Sequence, residues 1–323
     1  MGYKTLVIGL GQIGMGYDYA LSEKKYLMTH CQTINAHKEF ELIAGFDISR
    51  QRRKEFEEKF KKPAYDNLSE IKNKSEIDII VVSVPTKSHL NAITEIFSIF
   101  SPKLILMEKP ISFTLFETKK IIKILRKMET PLAINYIREF EPVHRKLIQN
   151  LNKGILGYPL KIICWYSNGF INNGSHFIQL ISNFLGNYIK TELIHRGRSI
   201  GENDYEPTIE VIFENGASYF IPVKEEDFTF FEMEIVGPLG RIKYYDSGSY
   251  YELWNIDKNS VLKGYKRLNT VKEEFQTDLV RGQYYVYSNI DDFLKNKSEL
   301  YCDSTNVLKT ASIIAETIEG IKH

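Results

Sequence analysis

The chain is poor in cysteine, in long apolar runs and in surplus charge of either sign, and each shortage removes a class of protein. Its three cysteines, Cys31, Cys164 and Cys302, lie far apart. They form no CxxC pair and no even-numbered framework, which argues against a zinc ribbon, a disulfide scaffold or another metal site, and the expected setting is reduced and cytoplasmic. No segment approaches the roughly 18 consecutive apolar residues that cross a bilayer. Met1-Gly2-Tyr3-Lys4-Thr5 runs straight into a short apolar strand, without the apolar stretch and small-residue cleavage site of a signal peptide. Leu6 breaks the myristoylation pattern that Met1-Gly2 begins. Lys+Arg 42 against Asp+Glu 41 leaves a net charge of +1, so no field favours nucleic acid or an anionic membrane. What is present is an ordinary globular mixture, 43% hydrophobic and 26% charged, at a length of 323 residues that suggests two domains.

The first 130 residues or so alternate short apolar runs with helical patterns. Thr5-Leu6-Val7-Ile8, Phe40 to Phe46, Ile77 to Val84 and Leu104 to Met107 read as buried strands. Ser49 to Phe60, Ser88 to Phe100 and Thr114 to Met128 lie between or after them as helices; in the last, Thr118, Ile121, Ile122, Leu125 and Met128 fall at helical spacing. Near-continuous apolar strands alternating with helices predict a doubly wound α/β fold with a parallel sheet. After a boundary expected between Met128 and Asn135, dividing the chain into 1–130 and 131–323, the pattern changes. Ile209 to Phe213 leads through Asn215-Gly216 into Ala217 to Ile221, a strong hairpin signal. Phe231, Met233 and Ile235 alternate with glutamates, Gly237-Pro238-Leu239-Gly240 turns the chain, and Ser249 to Trp254 adds a strand. A closing helix carries the stripe Val307, Ala311, Ile314, Ile318 and Ile321. The second domain is therefore expected to be α+β, with a large antiparallel sheet.

Gly9-Leu10-Gly11-Gln12-Ile13-Gly14 matches GxGxxG directly after a strand, and a helix is expected from Gln12. Such a loop needs Gly9 for its turn, Gly11 for close approach of a pyrophosphate and Gly14 for helix–strand packing. The helix N-terminus then offers N–H groups to the anion. Asp47, ending the second strand, suits ribose hydroxyls and repels a 2′-phosphate, which favours NAD. It lies 33 residues beyond Gly14, so Tyr17 to His37 reads as an insertion plus the first helix. Ser49, Arg50, Arg52 and Arg53 follow closely and leave NADP open, and Asp47 can equally cap the helix that follows.

Glu108-Lys109-Pro110 ends an apolar strand, at the sheet edge where ligands bind. A partly buried lysine there can donate a proton to a substrate oxygen, and Lys-Pro can take the cis form; an exposed lysine in a strand-end turn is the plainer alternative. In Asn172-Asn173-Gly174-Ser175-His176-Phe177-Ile178-Gln179-Leu180, Ser175 can cap a helix running to about Leu185, with Gly186 just beyond. His176 in its first turn would favour a neutral imidazole able to accept a proton from an alcohol, or it is a satisfied histidine at a domain interface.

Together these stretches resemble the Gfo/Idh/MocA family, the glucose–fructose oxidoreductase and inositol dehydrogenase group. The resemblance rests on GLGQIG at 9–14, FDIS at 46–49, VSVPTKSH at 82–89, EKP at 108–110, NYIREFEP at 135–142, NNGSHFIQL at 172–180 and GPLGRIKY at 237–244. It implies a Rossmann domain followed by an α/β domain whose open sheet joins subunits into a homodimer or homotetramer. It also implies an NAD- or NADP-dependent enzyme acting on a sugar, cyclitol or nucleotide-sugar. By position, Gly9, Gly11, Gln12, Ile13 and Gly14 would hold the pyrophosphate and Asp47 the ribose. Ser83, Val84, Pro85, Thr86, His89, Glu108 and Asn135 would line the nicotinamide side. Lys109 and His176 would be catalytic, with Arg138, Asn172, Ser175 and Gln179 near the substrate. The family frequently has aspartates where this chain has Asn172 and Gln179. An amide is no general base, so these two would hydrogen-bond sugar hydroxyls instead. The resemblance also leaves room for a glycosidase that retains its cofactor, or for a non-catalytic NAD sensor.

Overall fold

A computed structural model describes residues 2–224, 228, 230–257 and 264–322. In chain order the elements are β1 (Tyr3–Ile8), α1 (His30–Ala36), β2 (Phe40–Phe46), α2 (Arg50–Phe60), β3 (Ala64–Tyr65), β4 (Ile79–Val82), α3 (His89–Ile99), β5 (Leu104–Met107), α4 (Leu115–Lys127) and β6 (Leu132–Ile134). They continue with α5 (Pro142–Asn152), β7 (Leu160–Tyr166), α6 (Ser175–Ile181), β8 (Tyr188–His195), β9 (Ser199–Ile200), β10 (Asp204–Tyr205), β11 (Thr208–Phe213) and β12 (Gly216–Pro222). The last are β13 (Glu232–Gly237), β14 (Gly240–Tyr245), β15 (Tyr250–Asp257), β16 (Arg267–Leu268), β17 (Glu273–Gln276), α7 (Gly282–Leu294) and α8 (Ser304–Lys322).

The chain divides into two units, Met1–Phe140 with Val280–Leu308, and Glu141–Leu279 with Lys309–His323. The first is built on a parallel six-stranded sheet in the order β3-β2-β1-β4-β5-β6. Every residue of β4 and β5 is buried, which is why neither shows the alternation of a half-exposed strand. Helix α4 is capped by Thr114, whose hydroxyl accepts the Glu117 N–H at 3.2 Å, and it buries Thr118, Ile121, Ile122 and Leu125 as their spacing predicts.

Two features of this unit differ from the sequence expectation. The division does not fall at residue 130. Strand β6 pairs in parallel with β5, so residues to 140 stay with the first sheet, and Val286, Tyr287 and Ile290 of α7 return to its core. Nor does a long helix follow the glycine loop. Residues Gln12–Gly16 form one wide turn in which the Met15 and Gly16 N–H groups both donate to the Gly11 carbonyl. Helix α1 begins only at His30. Between them the buried Asp18 carboxylate accepts the Met28 and Thr29 N–H groups and the Thr29 hydroxyl, closing residues 18–29 into a loop of their own.

The second unit carries a nine-stranded sheet in the order β16-β15-β14-β13-β7-β12-β11-β8, with β17 beside β15; β9 and β10 pair separately. Among the described residues, β12 with β7 is the one parallel pair within it. Ile162, Cys164, Phe220, Met233, Ile235, Ile242 and Tyr244 fill its buried face. The opposite face presents Trp165, Tyr219, Tyr245 and Trp254, with Arg241 paired to Glu234 and stacked 5.3 Å over Trp254. The β11–β12 hairpin turns at Glu214-Asn215, one residue earlier than expected, because Gly216 already pairs with Phe213. A side chain at Gly216 would lie 2.2 Å from the Leu160 carbonyl of the neighbouring strand.

Candidate active site

Register alone gathers five of the expected residues of the first unit. Ile8 pairs with Phe46 and Val82, Val82 with Met107, and Met107 with Ile134. Asp47, Gly9, Ser83, Glu108 and Asn135 each follow one of these paired residues. They form a single row along the carboxyl edge of the sheet, spanning four strand spacings of about 4.8 Å. The strand order reverses between β1 and β4, so Gly9 and Ser83 flank the switch point where such sheets bind ligands.

The row is braced from within. Gly9 has φ +98°, and a Cβ there would lie 2.5 Å from the Ser83 carbonyl; a Cβ at Gly14 would lie 2.1 Å from the Gly9 carbonyl. At Gly11 an added Cβ meets nothing within 4 Å. Two of the glycines thus serve chain packing, while the middle one faces open space. The Ser83 hydroxyl donates to the Gly9 carbonyl at 2.8 Å, holding the loop to β4. Asp47 accepts the Leu10 N–H at 2.8 Å through Oδ2 and the Ser49 N–H at 2.8 Å through Oδ1, which ties the glycine loop to the end of β2. The cap of α2 is Ser49, whose side chain accepts the Arg52 N–H, and not Asp47. Arg53 pairs with Asp66 at 2.7 Å and donates to the Asp47 and Ile48 carbonyls, while Arg52 pairs with Glu55 at 3.2 Å.

Past the switch point, Val84 and Thr86 are half-buried and Pro85 is exposed. His89 is buried, with its ring nitrogens 3.0 Å from the Ile111 and Val84 carbonyls. It braces the loop instead of facing a ligand, and burial pushes its pKa below the usual imidazole value. Lys109 joins Pro110 through a cis bond. Glu108 Oε1 takes the Asn135 amide N–H and faces His30 Nε2 at 2.9 Å; Oε2 takes the Lys109 N–H at 3.3 Å. Burial pushes the Glu108 carboxyl up, but the bonds from His30 and Asn135 outweigh it, and its pKa lies below the ordinary value. The Asn135 Oδ1, on a side chain only 2% exposed, has no hydrogen-bond partner among the described residues.

The second unit holds the other expected residues. Residues Phe170–Gly174 form a wide turn, and α6 follows from Ser175 to Ile181. Ser175 is therefore the first helical residue and not the cap, and the helix stops short of Leu185. The turn is held by Asp204, whose carboxylate accepts the Ile171, Asn172 and Tyr205 N–H groups at 2.8, 2.9 and 2.8 Å. Burial raises its pKa against those bonds. Gly169 precedes the turn at φ +90°, where a Cβ would lie 2.1 Å from Asp204 Oδ2. His176 is half-buried, with its ring edge-on to Phe231 at 6.1 Å; Phe177 stacks on the same ring at 3.8 Å. Beneath them lies a buried chain: Glu141 Oε2 faces His144 Nδ1 at 2.8 Å, and His144 Nε2 faces the Tyr244 hydroxyl at 2.8 Å. Asn172 donates to the Asn168 carbonyl. Gln179 does not face a ligand: it is 2% exposed and its carbonyl accepts the Thr310 hydroxyl at 2.7 Å. Ser175 is fully buried. Both belong to the packing of α6.

Sequence reasoning missed His30, Tyr287 and Asp204. His30 sits inside the stretch read as an insertion, and no spacing links it to Glu108, 78 residues away. Asp204 lies in a polar turn without a motif. Among the described residues no group of three or more His, Cys, Asp or Glu is placed to hold a metal ion, and no helix is long and apolar enough to cross a membrane.

A parallel sheet with a glycine loop at its switch point and a polar row along its carboxyl edge defines a dinucleotide-binding α/β domain. The residues present fit such a ligand: the space over Gly11 is open, and the Asn135 oxygen awaits a donor. Residues 3–136 match the family described as oxidoreductase family, NAD-binding Rossmann fold (GFO_IDH_MocA). The chain is 27% identical over 156 residues to the uncharacterized oxidoreductase YrbE of Bacillus subtilis (strain 168), covering 48% of this chain and 41% of that protein. It is 26% identical over 112 residues to inositol 2-dehydrogenase 2 of Paenarthrobacter aurescens (strain TC1), covering 33% of each. The matches thus span about two fifths and one third of the length of these relatives. KijD10, a 3-ketoreductase from Actinomadura kijaniata solved with NADP and TDP-benzene, shares the fold at a TM-score of 0.72 and 15% identity, over 97% of this chain and 96% of that one. Residues 3–136 are thus an NAD(P)-binding Rossmann domain similar to that of the Gfo/Idh/MocA oxidoreductases, and they carry the six-stranded sheet of the first unit.

Proposed function

We propose that this protein moves a hydride between a nicotinamide cofactor and a hydroxyl or carbonyl of a sugar, cyclitol or nucleotide-sugar, with NAD preferred. The observation that carries the reading is the row Asp47, Gly9, Ser83, Glu108 and Asn135 along one sheet edge, with Gly11 facing open space. The inositol dehydrogenase and the 3-ketoreductase support the substrate class by kinship. When bound, the cofactor supplies the hydride acceptor or donor. The chain supplies the rest. The loop of Gly9, Gly11, Gln12, Ile13 and Gly14 holds the pyrophosphate, and Val84, Pro85 and Thr86 line the nicotinamide side. Glu108 and Asn135 orient that end, Lys109 and His176 are the proposed proton-transfer residues, and Arg138 and Asn172 are proposed substrate contacts.

The preference for NAD is supported by charge. Asp47 keeps lone pairs for ribose hydroxyls after accepting two backbone N–H groups. Two of the three arginines that could hold a 2′-phosphate are engaged, Arg53 by Asp66 and Arg52 by Glu55. The aromatic open face of the second unit supports a homo-oligomer through that sheet, and three buried thiols suit a reducing cytoplasm. The test is a saturable fluorescence change of NADH with the purified protein, abolished by Gly11→Val, followed by turnover on a panel of sugars, cyclitols and nucleotide-sugars. An unaltered signal in Gly11→Val refutes the cofactor assignment. A second reading, an NAD-binding sensor, is favoured by amides at Asn172 and Gln179, which cannot act as general bases beside His176; it predicts cofactor binding with no turnover on any member of the panel.

A further inference from the structure

We propose that His30 is a positioning residue for the nicotinamide end of the cofactor site, holding Glu108 in one orientation from behind; this rests on the dinucleotide-binding reading above. His30 is fully buried as the first residue of α1. Its Nε2 lies 2.9 Å from Glu108 Oε1 and its Nδ1 3.0 Å from the Tyr287 hydroxyl on α7. A carboxylate only accepts, so Nε2 donates to Oε1, and Nδ1 faces the Tyr287 hydroxyl. Burial keeps that phenol protonated. Oε1 is thereby saturated by His30 and Asn135, while Oε2 carries only the long bond from the Lys109 N–H among those described. The oxygen left with capacity belongs to the residue beside Lys109.

The arrangement is built by the interrupted helix. A continuous helix after the glycine loop would carry its residues away from the sheet edge. Here Asp18 closes the loop 18–29, and the Leu27 N–H bonds the Val280 carbonyl at 2.9 Å just before α7. That brings the start of α1 and the Tyr287 face of α7 to Glu108. Gln283 stands one turn before Tyr287 on the same face, 2% exposed, with neither amide atom bonded among the described residues. Buried polar capacity of this kind, like that of Asn135, marks room for a polar ligand or water.

The experiment compares wild type, His30→Ala, His30→Gln and Tyr287→Phe for binding of NADH and of ADP-ribose, which lacks the nicotinamide. Gln keeps an N–H donor where Nε2 lies. Losing a charge-assisted bond weakens binding by about tenfold or more, so His30→Ala is expected to raise the NADH Kd by at least that factor and leave ADP-ribose unchanged. His30→Gln restores most of the loss, and Tyr287→Phe gives a smaller loss confined to NADH. A role in folding alone moves both ligands together. The proposal is overturned if His30→Ala binds NADH like wild type, if it weakens both ligands equally, or if His30→Gln is as impaired as His30→Ala. Should His30→Ala fail to fold, Tyr287→Phe decides: unchanged NADH binding there overturns it. Wild-type protein that binds neither ligand refutes the cofactor reading itself, and the inference with it.

Discussion

Replacing Gly14 and Gly11 separately by alanine tests the geometry of the loop, because the two positions differ in what a methyl group meets. At Gly14 the new carbon would sit 2.1 Å from the Gly9 carbonyl and 3.3 Å from the Ser83 hydroxyl, so the backbone must give way. Overpacking of this kind costs about 1–3 kcal/mol. For a domain of this size that lowers Tm by roughly 2–12 °C. If the displaced loop also carries the pyrophosphate, NADH affinity falls about 5- to 150-fold at 1.4 kcal/mol per decade. At Gly11 nothing lies within 4 Å, so the apoprotein should melt like wild type and only the ligand should notice the methyl. Thermal melts with and without NADH, beside a fluorescence titration, separate the cases. An unshifted Tm in Gly14→Ala refutes the packing argument. A lowered Tm in Gly11→Ala refutes the claim that this position faces open space.

Other expectations follow from single contacts. Lys109→Ala should keep NADH affinity and lose about 10²- to 10⁴-fold in turnover, the usual worth of a positioned proton-transfer group; surviving turnover removes Lys109 from that role. Tyr244→Phe takes the hydroxyl from His144 Nε2 in a dry interior, which costs about 1–3 kcal/mol and shows as a lower Tm. The raised pKa of Asp204 means the folded state favours its neutral form. Its contribution is therefore full below the ordinary carboxylate pKa and declines as pH rises through the raised one. Asp204→Asn removes that titration, so the stability of wild type relative to the variant should be greatest in acid and fall toward neutral pH. A difference that is flat with pH, measured by denaturant unfolding, contradicts this.

Much of the first unit was legible because its information is local. The apolar runs of β2 and β5 and the helical spacing of α4 fall where predicted, since burial on both faces and on one stripe leaves plain patterns. The division of the chain was not legible. Residues 280–308 join the first unit through Val286, Tyr287 and Ile290, an association between segments far apart in sequence. The helix expected at Gln12 failed for a related reason. Asp18 finds its partners at Met28 and Thr29, and no local propensity reports a carboxylate closing a loop of that length. The resemblance placed Gln179 near the substrate, yet Thr310, 131 residues on, donates its hydroxyl to the Gln179 oxygen.

The chemistry of the site was open to reading wherever residue type alone constrains it: glycines where a side chain cannot fit, an acid ending β2, a lysine at a strand end. What only the tertiary structure decided was company. Five residues from five strands become one row through parallel register, and His30 meets Glu108 and Tyr287 through the return of α7. Hydrogen bonds act over about 3 Å of space whatever the separation along the chain, so a side chain's partners are a property of the packed molecule, while backbone tolerance and burial pattern are already written in the order of the residues.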